Sequence, residues 1–144
     1  MVFGRRKKLI TRLLIVEDEP LIAFDNEYVL SDGGYEVVAT VDRLALALEV
    51  LEGEAIDLVL ADVNLADGSG IDLARHAHQR GVPVIFATGE CPDGGRAFAH
   101  GCLAKPYRPA DLIAAIAAVD GQMQGERPRR LPRGFSLFEQ PAAA

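Results

Sequence analysis

The chain alternates short unbroken apolar runs with longer stretches in which apolar residues recur every three or four positions. Leu13-Leu14-Ile15-Val16 is such a run, closed by Glu17 and Asp18, the pattern of a strand buried on both faces. Pro20 suits a first helical turn, Leu21, Phe24, Tyr28 and Val29 follow at helical spacing, and Ser31-Asp32-Gly33-Gly34 stops the helix. The cycle then repeats. Residues 36–40 read as a second strand, Leu44, Leu48 and Leu51 mark a second helix ended by Gly53, and Asp57–Ala61 reads as a third strand with Asp62 at its end. Beyond the turn Ala66-Asp67-Gly68-Ser69-Gly70, a third helix runs toward Arg80; Val84–Ala87 and Gly101–Ala104 read as two further strands. Pro109 opens a last helix with Leu112, Ile113, Ile116 and Val119 on one stripe.

Strands alternating with helices predict an α/β domain with a parallel sheet covered on both faces. The pattern divides the chain into a basic N-terminal arm (1–11), one domain (12–120) and a C-terminal tail (121–144). The tail reads as flexible, because Gly121, Gly125, Pro128, Pro132 and Pro141 interrupt it, although Phe135–Phe138 could dock on a surface. Composition changes this picture little. Apolar residues make up 49% of 144, enough for a core, and a net charge of −6 argues against nonspecific nucleic-acid binding. No apolar run is long enough to span a bilayer and the basic N-terminus lacks a signal-peptide core, so a cytoplasmic protein is expected. Cys91 and Cys102 form no metal-ligand spacing or disulfide framework and read as reduced, packed residues.

In open parallel sheets ligands collect beyond the carboxyl ends of the strands. Glu17 and Asp18 follow the first predicted strand, Asp62 the third, Thr88 the fourth and Lys105 the fifth, so polar groups from separate strand ends converge on one edge. Crowded carboxylates repel one another, and a hard divalent cation such as Mg²⁺ relieves that repulsion while keeping room for a phosphoryl oxygen. A carboxylate can accept a phosphoryl group as an aspartyl-phosphate. A fixed cation, Lys105, and a hydroxyl, Thr88, suit the charge on the transferring group.

These residues resemble the response-regulator receiver family. The resemblance is carried by Val16-Glu17-Asp18-Glu19, Leu60-Ala61-Asp62-Val63-Asn64-Leu65, Asp67-Gly68-Ser69-Gly70, Ala87-Thr88 and Ala104-Lys105-Pro106-Tyr107, and spans residues 12–119. It implies a flavodoxin-like (βα)5 sandwich of strand order 2-1-3-4-5. It also implies Asp62 as phospho-acceptor, Glu17, Asp18 and Asp62 as Mg²⁺ ligands with the Asn64 backbone carbonyl, and Thr88 and Lys105 as phosphoryl-contacting groups. No activity on a separate substrate is expected, beyond the protein's own Mg²⁺-dependent phosphorylation and dephosphorylation.

Two departures point to a subgroup. Where most receivers carry an aromatic residue three positions before the lysine, this chain has Cys102, and the stretch 89–104 leaves room for about one and a half helical turns at Arg96–His100. Phe86-Ala87-Thr88-Gly89 resembles the Phe-Ala-Thr-Gly-X-Tyr signature of single-domain receivers, called FAT GUY, with Cys91 in the tyrosine's place. That likeness implies a single-domain response regulator partnered by a histidine kinase of the HWE or a related class, acting through a phosphotransfer or regulator protein or as a phosphate sink. Neither direct DNA binding nor membrane insertion is expected. A mobile 89–100 segment is expected to carry the signal in the aromatic's absence. Two other classes compete: a binding module that is never phosphorylated, disfavoured by the intact residue set, and a metal-dependent phosphatase, disfavoured because Asn64 stands where its second acid would. His76, His78 and His100 read as surface histidines, and the basic arm and arginine-rich tail as solvated charge.

Overall fold

The computed structural model describes residues 7–128 and 130–139. In it β1 (Arg12–Val16), β2 (Glu36–Val41), β3 (Leu58–Ala61), β6 (Val84–Thr88), β7 (Gly101–Ala104) and β8 (Phe135–Leu137) form one sheet, in the order β2-β1-β3-β6-β7-β8. Setting aside a two-residue hairpin, β4 (Asn64–Leu65) with β5 (Gly68–Ser69), this is the expected 2-1-3-4-5 order with one strand added. All pairs but the last are parallel; β8 runs antiparallel to β7, Cys102 opposite Ser136. The helices are α1 (Pro20–Asp32), α2 (Leu44–Gly53), α3 (Gly70–Gln79) and α4 (Pro109–Met123).

Side chains alternate between two cores because successive strand residues point to opposite faces. Leu14, Val16, Val59, Ala61, Val84, Phe86 and Cys102 pack on the α2–α3 side. Leu13, Ile15, Leu58, Leu60, Ile85, Ala87 and Leu103 pack on the α1–α4 side. One helix is capped by a distant residue and one by its neighbour. The Asp67 carboxylate accepts the N–H groups of Leu44 (2.6 Å) and Ala45 (3.0 Å) at the start of α2, while Ser69 Oγ accepts the Ile71 N–H at the start of α3.

The structure departs from sequence-based expectation in four places. Most of the expected apolar stripe of α1 does not face the core: Leu21, Phe24 and Tyr28 are exposed, only Val29 of the four packs against it, and Asn26 and Leu30 are the buried residues. Between β6 and β7, residues 96–98 form turns and 99–100 form no helix, the irregular outcome that the short stretch allowed. Cys91 and Cys102 are not reduced but joined in a disulfide, because the loop folds back and brings their Cα atoms to 6.0 Å.

The tail boundary is also corrected. α4 continues to Met123, and Phe135 and Phe138 bury themselves in the two cores; residues 135–137, the stretch of the tail that could dock, form a sheet strand. Within the basic arm, the N–H groups of Leu9 and Ile10 both donate to Asp120 Oδ2 at 2.9 Å and Ile10 is fully buried, so the domain begins before residue 12. Residues 1–6, 129 and 140–144 lie outside the described residues. Among the described residues, no helix is long and apolar enough to cross a membrane.

Candidate phosphoryl-acceptor site

The carboxyl ends of β1, β3, β6 and β7 meet at one edge of the sheet. Glu17 follows β1 and is buried, Asp62 follows β3 and is buried, Thr88 ends β6 and is buried, and Lys105 follows β7. Asp18 and Asn64 stand exposed at the rim. The Lys105 ammonium lies 2.8 Å from Glu17 Oε1, 2.8 Å from Asp62 Oδ2 and 3.2 Å from Glu19 Oε2. Asp62 Oδ1 accepts the N–H of Asn64 at 3.2 Å, and the Thr88 hydroxyl adds to what favours the charged form of this carboxylate. All the side chains singled out in the sequence are thus brought together. The expected contribution of Asn64 is its backbone carbonyl.

Two features were not legible. Glu19 reaches Lys105 although it lies beyond the acidic pair, and its only sequence signal is that it extends that acidic run. Gly70 makes a close approach: a Cβ there would lie 2.2 Å from the Asp62 carbonyl oxygen, and the Gly70 N–H donates to the Val63 carbonyl at 2.7 Å. Gly70 therefore lets the start of α3 lie directly on the Asp62–Val63 turn.

The electrostatics follow from burial against pairing. Burial pushes the Asp62 carboxyl up, but Lys105, the Asn64 N–H and the Thr88 hydroxyl outweigh it and hold the group below the ordinary aspartate value. For Glu17 burial wins over Lys105 and the Glu19 N–H, and its carboxyl sits above the ordinary value. Burial alone would lower Lys105; Asp62 and Glu17 reverse that and keep it protonated well above its ordinary range. The site therefore favours a charged carboxylate on Asp62 beside a charged ammonium on Lys105.

Glu17, Asp18 and Asp62 each offer one oxygen, all within 4.8 Å of one another. An all-oxygen, acidic set of this size fits a hard divalent cation that retains several waters. Lys105 is one positive charge among Glu17, Glu19 and Asp62, so negative charge remains to attract it.

Residues 13–117 match the family model of the response regulator receiver domain. The chain belongs to that family. Among curated relatives, the phyllosphere-induced regulator PhyR of Methylorubrum extorquens is 38% identical over 120 residues, which are 76% of this chain and 43% of that protein. The transcriptional regulatory protein PdtaR of Mycobacterium tuberculosis is 37% identical over 111 residues, 73% of this chain and 54% of that one. This receiver thus spans about half the length of these curated relatives. Among solved structures, a CheY-like receiver from Methanospirillum hungatei superposes with a TM-score of 0.72 at 30% identity, covering 81% of this chain and 99% of that one. PhyR from Brucella abortus gives 0.66 at 36% identity, covering 83% of this chain and 51% of that one. The protein is accordingly a receiver of the two-component type, a class whose general partners are histidine kinases and phosphotransfer proteins.

Proposed function

We propose that this receiver is a single-domain response regulator of the FAT GUY subgroup, phosphorylated on Asp62 in the cytoplasm by a histidine kinase of the HWE or a related class. Its output is a protein–protein contact or the draining of phosphoryl groups from a competing regulator. One observation carries the reading: Lys105 Nζ bridges Glu17 and Asp62 at 2.8 Å each, at the end of the central strand and beside Asp18. In the transfer, an oxygen of Asp62 attacks phosphorus, the P–N bond of the kinase phosphohistidine breaks, and the imidazole leaves with its electron pair and takes up a proton. Lys105 and the Thr88 hydroxyl hold the phosphoryl oxygens. A Mg²⁺ held by Glu17, Asp18, Asp62 and the Asn64 carbonyl would neutralise charge on the transferring group. Hydrolysis of the acyl phosphate by water returns Asp62, so no separate substrate is turned over.

The subgroup is supported by Phe86-Ala87-Thr88-Gly89, by the helix-free 96–100 stretch and by Cys102 in place of the switch aromatic. The test is incubation with a small phosphodonor and Mg²⁺, followed by intact mass. One phosphoryl group is expected, stable in acid and labile in base, and absent in Asp62→Asn. Undiminished labelling of that variant would place the acceptor elsewhere. Phosphotransfer profiling against the histidine kinases of the source genome then tests the kinase class.

A further inference from the structure

We propose that Cys91 and Cys102 are a thiol–disulfide exchange site, whose oxidised form staples the segment between Thr88 and Lys105 and whose reduced form frees it. The consequence for signalling rests on Asp62 being the acceptor; the redox chemistry does not. β6 delivers Thr88 to the site and β7 returns the chain to Lys105, so constraint on residues 89–104 is felt at both groups. Among the described residues, no backbone hydrogen bond joins residues 89–94 to another part of the chain. Backbone holds begin later, with Phe98 N–H to the Gly95 carbonyl (2.9 Å) and His100 N–H to the Val84 carbonyl (2.8 Å). Side-chain holds also fall in the second half. His78 meets the Phe98 ring edge-on at 5.8 Å, and Arg96 lies 4.3 Å over the Phe138 ring.

The first half is therefore fastened by the Cys91–Cys102 bond, which reaches from the loop into the fully buried side of β7, where Cys102 sits between Phe86 and Ser136. Cys91 is only half-buried, so a reductant arrives from its side. A thiolate of an external dithiol attacks Cys91 Sγ, the protein S–S bond breaks, and Cys102 leaves as a thiolate and is protonated. The second thiol of the reductant then attacks the mixed disulfide at the reductant's sulfur, forming the reductant's own disulfide and releasing Cys91 as a thiol. Two electrons pass from the dithiol to the protein. In a reducing cytoplasm a disulfide of this kind belongs to the transient, redox-sensing class.

The test compares the full chain after oxidised glutathione with the same protein after dithiothreitol. Alkylation under denaturing conditions should add no label to the first and two labels to the second. Amides of 89–99 should exchange about tenfold faster or more in the reduced protein, while the core strands stay unchanged. Cys91→Ser, at a half-buried loop position, should exchange like the reduced parent whatever the reductant. The rate of labelling by a small phosphodonor should differ between the two forms of the parent and not respond to dithiothreitol in Cys91→Ser. Two alkylatable thiols after oxidation, or equal exchange at 89–99 in both forms, would overturn the site; equal labelling rates would overturn its coupling to Asp62. If neither form is labelled at all, the Asp62 reading falls, while the exchange comparison still decides this one.

Discussion

A single ammonium group serves three carboxylates here, and that arithmetic decides how the residues should behave. Because Lys105 faces Glu17, Glu19 and Asp62 at once, the acidic set stays under-neutralised, and a divalent cation gains from entering it. Asp18 is the member not engaged by Lys105, so its charge is the most available to a metal. Asp18→Asn is expected to weaken Mg²⁺ binding about tenfold or more, read by calorimetry or by a lost Mg²⁺-induced rise in Tm. Equal affinity would show that the acidic pair has been misassigned. Gly70 offers a second residue-scale test. With backbone atoms of Asp62 and Val63 at 2.2–3.0 Å from a hypothetical Cβ, Gly70→Ala must push α3 away from the acceptor turn. A loss of about 1–3 kcal/mol is expected in urea denaturation, together with slower phosphodonor labelling; a neutral result would mean that the turn is freer than it looks. The converging set was legible because its members lie at, or within a few residues after, the ends of apolar runs. Gly70 was legible only as a turn residue, since close packing against Asp62 is a through-space fact with no local signature.

At the scale of elements, α1 carries the largest surprise. Its apolar residues do follow a helical period, yet Leu21, Phe24 and Tyr28 face solvent on the helix that starts just after Glu19, while Asn26 turns inward to accept the Tyr107 hydroxyl at 3.0 Å. Periodicity reveals an apolar stripe but not which side the core lies on. An exposed stripe of this kind suits a helical partner. Phe24→Glu is therefore expected to slow phosphotransfer from the cognate kinase about tenfold or more while leaving labelling by a small phosphodonor unchanged. Slowing of both would point to damage at the site itself. β8 was hidden for a different reason. The aromatic pair of 135–138 signals docking, but three residues among prolines, glycines and arginines do not show that the docked form is a strand, and only the surface they meet explains it. Phe135 lies over Gly101, where a Cβ would come within 2.6 Å of its ring and 2.8 Å of the Ser136 carbonyl. Gly101→Ala should thus unseat β8, seen as faster amide exchange over 134–138 with β1 and β3 unchanged. Retained protection there would mean that the Phe135 ring can shift and the strand does not need the gap.

For the whole molecule, two half-cores share one sheet, and the polar clamps that close its ends govern the response to acid. Asp57 is the clearest clamp: its Oδ2 accepts the Thr11 N–H (3.0 Å), the Thr11 hydroxyl (3.0 Å) and the Arg12 N–H (2.9 Å), tying the start of β1 to the start of β3. Burial would raise this carboxyl, but those bonds outweigh it and hold it below the ordinary aspartate value. A group whose folded pKa is depressed stabilises the fold above its unfolded pKa, and that stability is lost as pH falls through the folded value. Asp62 has the same sign; Glu17, raised by burial, has the opposite one and partly offsets them. Stability should therefore be greatest near neutrality and decline on the acid side. Asp57→Asn isolates one contribution. At about pH 7 the variant should lose about 1–2 kcal/mol, toward the low end of charged hydrogen bonds because the clamp is partly open to solvent. The gap should close as pH falls below the ordinary aspartate value and the parent's Asp57 takes up its proton. Urea denaturation of parent and variant at about pH 7, 5 and 3 reads this directly. A gap as wide at pH 3 as at pH 7 would mean that the clamp acts through packing rather than charge.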